Sequence, residues 1–289
     1  MQTLTLLDGA MGTELTRRGV NTALPLWSAH ALDVAPEVVM HIHADYIAAG
    51  AQVVTANTFR TNPRALAKAG IAHRAQALTR RAVGLARRAI AATGQLGKVR
   101  VAGSVAPVED CYSPELAPSD AELEREHMAH ARHLAEAGVE LILIETQNTI
   151  REAVAAARAA AIMGLPFWVS FVLRDPHTLL SGEALSDAAR AVLPFKPSAV
   201  LVNCVPVEQI GPALVTLRAL LPMSTAVGAY ANVGHVDEQG NWSLERVVRP
   251  DTYAAFAQQW RAHGATIIGG CCGTTPEHIA ALRAALASG

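Results

Sequence analysis

The chain has 289 residues, 51% hydrophobic and 17% charged, which is enough apolar material for a large buried core and excludes a disordered polymer. Its 24 basic and 25 acidic residues leave a formal net charge of −1, with no basic excess to neutralise phosphates, so no nucleic-acid partner is expected. Four cysteines are too few for a disulfide framework, the N-terminus lacks the pattern of an export signal, and the longest uncharged apolar stretch, Ala159 to Leu173, is broken by Gly164 and Pro166. Reduced thiols in a cytoplasmic protein without a membrane span follow as the expectation.

Eight short apolar runs recur along the chain. They are Leu4–Asp8, Val53–Asn57, Val99–Ser104, Leu141–Glu145, Phe167–Val172, Ala199–Asn203, Thr225–Ala229 and Thr266–Gly270. Most are rich in Val, Ile or Leu without strict alternation, the pattern of strands covered on both faces. Amphipathic, alanine-rich helical stretches separate them: Pro36–Ala49, Ala75–Ala92, Ala121–Ala137, Thr149–Met163, Glu208–Leu220, Thr252–His263 and Glu277–Ala287. Gly50, Gly94, Gly138, Gly164 and Gly264 sit just past helix ends, where a left-handed cap is wanted. This alternation predicts an α/β protein, a single (β/α)₈ TIM barrel over residues 1–289. A doubly wound open sheet is the alternative, because alternation alone does not show closure.

In such a barrel the functional site lies where the strands end. Those ends read Asp8, Asn57, Ser104, Glu145, Asn203-Cys204, Tyr230 and Cys271-Cys272. Three of the four cysteines therefore gather at one end of the barrel. Adjacent side chains in a regular strand point to opposite faces, so Cys271 and Cys272 can converge only if the backbone leaves strand geometry. The flanking Gly269, Gly270 and Gly273 permit that. Three thiolates with one open position describe a catalytic zinc site; the alternatives are ordinary buried thiols or a vicinal Cys271–Cys272 disulfide. Cys111, in the loop after the third strand, reads as a bystander, a fourth, closing ligand being the alternative.

The histidines offer a weaker signal. His127, His130 and His133 fall three apart on one helix and read as a solvated stripe, while His41 and His43 point in different directions from another. Asp8-Gly9-Ala10-Met11-Gly12-Thr13 forms a turn whose amides can face an anion. Glu145 closes an apolar run in which a carboxylate needs a partner, and a substrate ammonium would be one.

These residues together resemble the homocysteine S-methyltransferase family over almost the whole chain. The resemblance rests on Leu7–Thr13, Thr55-Ala56-Asn57-Thr58-Phe59, Ile144-Glu145-Thr146, Val202-Asn203-Cys204 and, most specifically, Gly269–Thr275 followed by Pro276-Glu277-His278. It implies a zinc-dependent barrel that methylates homocysteine to methionine, with Cys204, Cys271 and Cys272 as zinc ligands. It further implies that Asp8 and Glu145 contact the homocysteine amino group and that amides near Gly9, Ala10 and Met11 hold its carboxylate, with Asn57 and Asn203 also at the substrate. Ala10 and Val202 depart from glycines that many relatives carry, and neither change removes a ligand. Family members differ in methyl donor: S-methylmethionine or S-adenosylmethionine, betaine, or methylfolate through cobalamin. The Leu24–Ala29 segment resembles the S-methylmethionine users, and no cobalamin, folate or betaine-type region follows Gly289, so a sulfonium donor and no obligate protein partner are expected. Trp27, Phe59 and Tyr230 are the aromatic candidates to face a sulfonium. The competing expectations are a corrinoid-borne methyl group and a non-catalytic zinc- or thiol-binding barrel.

Overall fold

A computed structural model describes residues 4–236, 242, 243 and 247–287. Eight parallel strands form the centre: β1 (Thr5–Leu6), β2 (Val53–Ala56), β3 (Arg100–Val105), β4 (Leu141–Gln147), β5 (Phe167–Phe171), β6 (Ala199–Pro206), β7 (Ala226–Asn232) and β8 (Ala265–Gly270). Each hydrogen-bonds its sequence neighbour, β1 also pairs with β8, and a Leu7–Val53 bridge joins β1 to β2. The sheet is therefore closed, as the barrel reading requires, and the open doubly wound alternative falls. β1 is shorter than its apolar run because the chain turns away at Asp8.

One large helix follows each strand: α1 (Pro36–Ala49), α2 (Ala75–Ala92), α3 (Asp120–Ala137), α4 (Ile150–Ile162), α5 (Leu185–Val192), α6 (Val207–Leu220), α7 (Pro250–Ala262) and α8 (Pro276–Ala287). Their ends follow local chemistry. Pro36 opens α1 and Gly50 ends it in the left-handed region; Ser119 and Glu122 form a reciprocal capping box on α3, which Gly138 ends. The segment that forms α5 carried no helical prediction, because it has only eight residues before Pro194 interrupts. Among the described residues, no helix is long and apolar enough to cross a membrane.

Strand residues divide between two cores. Leu7, Val53, Ala102, Leu141, Leu143, Trp168, Leu201, Tyr230 and Ile267 fill the barrel interior, while alternate residues such as Val54, Val101, Ile142, Val169 and Val200 pack against the helices. Burial on both faces explains the continuous apolar runs. It also leaves polar side chains tolerable mainly at the strand ends, where loops and a cavity meet them.

One prediction about the helical layer is corrected here. His127 and His130 are not a solvated stripe; both are buried on the inner face of α3 beside Leu123, Ala131 and Leu134, and only His133 is half-exposed. His127 Nε2 lies 3.0 Å from Glu152 Oε1, which also accepts the Val108 amide at 2.8 Å, and His130 Nε2 donates to the Ser104 carbonyl at 3.1 Å. These bonds brace the end of β3 and its following loop. His41 is exposed and His43 buried, so that pair does diverge.

Candidate functional site

A cavity of about 470 Å³ opens at the C-terminal ends of the strands, walled by residues at or just after the end of every strand except β5. Asp8, Gly9, Ala10, Met11, Asn57, Glu145, Cys204, Cys271 and Cys272 all line it, together with Trp27, Phe59, Cys111 and Tyr230.

The thiols converge as the glycines allow. β8 ends at Gly270, and the following turn carries both cysteines out of strand geometry, with Gly273 at φ +82°. A side chain at Gly270 would place its Cβ 2.4 Å from Thr274 Oγ1, so only glycine lets the turn fold back this closely. The turn is held by Cys271 N to Ala231 O (2.9 Å), Cys272 N to Asn232 Oδ1 (3.0 Å) and Thr274 Oγ1 to Cys271 O (2.7 Å). Cys204 arrives from β6 through an irregularity in the ladder, itself at φ +58°. The Cys204 and Cys272 sulfurs are 3.7 Å apart, and the three sulfurs all lie within 4.8 Å of one another.

As free thiols these groups oppose one another. Hydrogen bonds from Cys271 and Cys272 hold Cys204 well below the usual thiol range, while bonding to Cys204 pushes both partners up. A thiophilic divalent cation would relieve that conflict, since three sulfur ligands within this spacing leave one coordination position for a further ligand. The donor set therefore fits a metal. Among the described residues, no other trio of His, Cys, Asp or Glu side chains is grouped this tightly. Tyr112, which sequence reasoning passed over, brings its hydroxyl to 3.0 Å from Cys204 Sγ. Cys111 stays outside the cluster, and burial pushes its thiol far up.

Two carboxylates face the same cavity. Asp8 accepts the Thr55 amide (2.7 Å) and hydroxyl (2.9 Å); Glu145 accepts the Ser104 hydroxyl and, at 3.2 Å, the Tyr230 hydroxyl. Burial pushes each up to about 7, outweighing the hydrogen bonds that lower it, and the Asp8 charge adds to the rise at Glu145. Two buried acids without a basic partner make a receptor for a cation. Ala10 N is already committed to Thr274 Oγ1 (3.2 Å), and Tyr46 donates to the carbonyls of Ala10 and Thr274, tying the loops after β1 and β8 together.

The two asparagines expected at the substrate are placed differently. Asn57 does line the cavity, with Nδ2 donating to the Ser28 carbonyl at 2.8 Å. Asn203 does not: fully buried behind the wall, its Oδ1 accepts the Thr146 amide and Ser170 hydroxyl, and its Nδ2 donates to Thr146 Oγ1 at 2.9 Å. Its side chain joins β4, β5 and β6, and its Nδ2 also reaches Cys271 Sγ at 3.9 Å, behind the thiol cluster. Trp27 and Phe59 meet edge to face, ring centroids 5.3 Å apart, as one aromatic wall.

Comparison with known proteins agrees with this arrangement. Residues 5–286 match the sequence family described as homocysteine S-methyltransferase. The homocysteine S-methyltransferase of Escherichia coli K12 is 36% identical over 298 residues, covering 98% of this chain and 95% of that protein. Bacillus subtilis homocysteine S-methyltransferase YbgG is 30% identical, with coverage of 97% and 94%. The crystal structure of the metallated form of E. coli homocysteine methyltransferase MmuM aligns with a TM-score of 0.85 at 33% identity, covering 98% of this chain and 96% of that one.

Proposed function

Since the chain belongs to the homocysteine S-methyltransferase family, an enzyme family giving methionine from homocysteine, we propose that it takes the methyl group from a sulfonium donor, at a zinc ion held by Cys204, Cys271 and Cys272. The observation that carries this reading is the meeting of three thiols and two buried carboxylates on one apolar cavity. When bound, zinc supplies the Lewis acidity that keeps the homocysteine sulfur ionised near neutral pH, where a free thiol is mostly protonated.

The chain's own groups orient the acceptor. Asp8 and Glu145 take up the homocysteine ammonium, which gives their charges the partner that burial denies them. Ser104 and Tyr230 aim the Glu145 carboxylate from two sides, and Thr55 fixes Asp8 through both oxygens. In the turn at Gly9, Ala10 and Met11 the Gly9 and Met11 amides are left for the carboxylate, the Ala10 amide being held by Thr274 Oγ1, and Asn57 borders the same cavity. Trp27 and Phe59 supply aromatic faces for the donor cation. The homocysteine sulfur then bonds to the methyl carbon as the donor sulfur–carbon bond breaks, its electron pair leaving with a neutral thioether. The opposite charges of nucleophile and donor vanish together, which a water-poor cavity favours. No general base is required for that step. The barrel is proposed to work over residues 1–289 as one cytoplasmic domain without an obligate protein partner.

The test offers donors separately to zinc-loaded protein with homocysteine. Methionine should form with S-methylmethionine alone, without cobalamin, folate or a second protein. Turnover with methylcobalamin or betaine, and with neither S-methylmethionine nor S-adenosylmethionine, would overturn the donor assignment.

A further inference from the structure

Among the described residues, Arg60 is the one cationic side chain lining the cavity, and the reading above leaves its charge unused. It follows the aromatic Phe59 in the loop after β2, lines the cavity, and is only 8% exposed. A guanidinium this deeply buried ordinarily has a carboxylate beside it. Arg60 has none: among the described residues it forms no ion pair, its Nε is buried without a hydrogen-bond partner, and its closest acceptor is the Glu109 carbonyl at 3.4 Å. The Glu109 carboxylate is already taken by Arg64 at 2.5 Å and by Lys68. Arg60 therefore lines a largely apolar cavity with a positive charge that no carboxylate pairs, and its buried Nε is left without an acceptor. That arrangement is costly unless an anionic ligand completes it.

We propose that Arg60 binds the carboxylate of the methyl donor, selecting a sulfonium that carries an α-amino acid end over one that does not. This deepens the donor reading of the preceding subsection and rests on it. Homocysteine already has its groups accounted for by Asp8, Glu145 and the turn at Gly9 to Met11, so the second carboxylate to enter is the donor's. The position suits it. Arg60 Cζ stands 5.9 Å from the centre of the Phe59 ring, the same ring that meets Trp27 in the aromatic wall. In S-methylmethionine four bonds separate the sulfonium sulfur from the carboxyl carbon, a reach of roughly 5 Å. A sulfonium resting on the Phe59–Trp27 wall thus extends its carboxylate to the guanidinium. Asp110, half-buried on the same cavity and bonded through Oδ1 to the Tyr112 amide at 2.8 Å, supplies an anion for the donor ammonium.

The experiment compares kcat/KM for S-methylmethionine and its methyl ester in the zinc-loaded wild type, Arg60→Gln and Arg60→Lys. The wild type should prefer the free acid by about tenfold to a hundredfold, the value of a charge-assisted hydrogen bond. Arg60→Gln should erase most of that preference by losing activity on the acid only, and Arg60→Lys should restore part of it. The KM for homocysteine and the zinc content should stay at wild-type values, which also shows that the variants fold. A wild type that treats acid and ester alike overturns the proposal without recourse to any variant. So does a preference that survives in Arg60→Gln, or an effect confined to the homocysteine KM, which would give the guanidinium to the acceptor carboxylate. If the wild type uses no sulfonium but does use betaine, the donor reading fails separately. Betaine against its methyl ester then reads Arg60 in the same way, with an unchanged ratio in Arg60→Gln overturning its role.

Discussion

Replacing Glu145 by glutamine removes a charge that the fold holds at a cost and the substrate needs. Burial moves this carboxyl from 4.5 to about 7. The interval corresponds to about 3 kcal/mol against the ionised form at pH 8 and to less than about 1 kcal/mol at pH 5. The sign follows from proton binding. A group whose pKa is raised on folding contributes stability below its unfolded value and loses it as pH rises through the folded value, here from about 4.5 to about 7. Glu145→Gln should therefore stabilise the homocysteine-free protein at pH 8, by several degrees in thermal midpoint, and hardly at pH 5. His43 and His130, held near 4 by burial, give the opposite pH slope, but equally in both proteins, so the difference between variant and wild type isolates Glu145. Homocysteine affinity should move the other way, falling about thirtyfold for a charged hydrogen bond worth about 2 kcal/mol. Scanning calorimetry at the two pH values and titration calorimetry with homocysteine measure both halves. Unchanged homocysteine affinity, or a stability difference independent of pH, would refute the reasoning.

Three further outcomes follow from the same geometry. Single serine substitutions at Cys204, Cys271 and Cys272 should lower zinc content while Cys111→Ser retains it, read by metal analysis after gel filtration; stoichiometric zinc in the Cys271→Ser, Cys272→Ser double variant would remove the ligand assignment. Tyr112→Phe deletes the hydroxyl beside Cys204 Sγ and should weaken metal binding by about tenfold in chelator competition. Asn203→Ala should cost about 2 kcal/mol or more in denaturant unfolding, because it leaves the Thr146 amide and the Ser170 hydroxyl without their buried acceptor.

What the sequence disclosed followed from how a barrel uses its residues. Strands buried on both faces have little room for polar side chains except at their ends, so Asp8, Glu145 and the cysteines stood out against apolar runs. The glycines around Cys271 and Cys272 disclosed the turn because backbone freedom is encoded locally. The unread features depend on contacts between distant segments. His127 and His130 share a helical face with Leu123 and Leu134, but periodicity names a face without saying that Glu152 and the Ser104 carbonyl wait opposite it. Arg60 and Tyr112 sit in loops, where no period marks direction. The resemblance put Asn203 at the substrate; its hydrogen-bond partners, Thr146 on β4, Ser170 on β5 and the Cys271 sulfur, come from distant segments that its own strand does not announce.

Asn203 also links the strained backbone to the chemistry. Thr146 and Cys204 both lie at φ +58°, each where the ladder loses register, between Ile144 and Gln147 in one strand and Asn203 and Pro206 in the other. Left-handed residues other than glycine cost on the order of 1–3 kcal/mol each and persist only where surroundings hold them. Asn203 does so for Thr146, taking its amide and hydroxyl with one side chain while Ser170 fixes that side chain from the strand between. The residue before Thr146 is Glu145 and the residue after Asn203 is Cys204. One buried amide thus stabilises the bulge beside the substrate-facing carboxylate and sits next to the bulge that delivers a sulfur. A conservative change there should disturb acceptor binding and metal binding together, although Asn203 itself never lines the cavity.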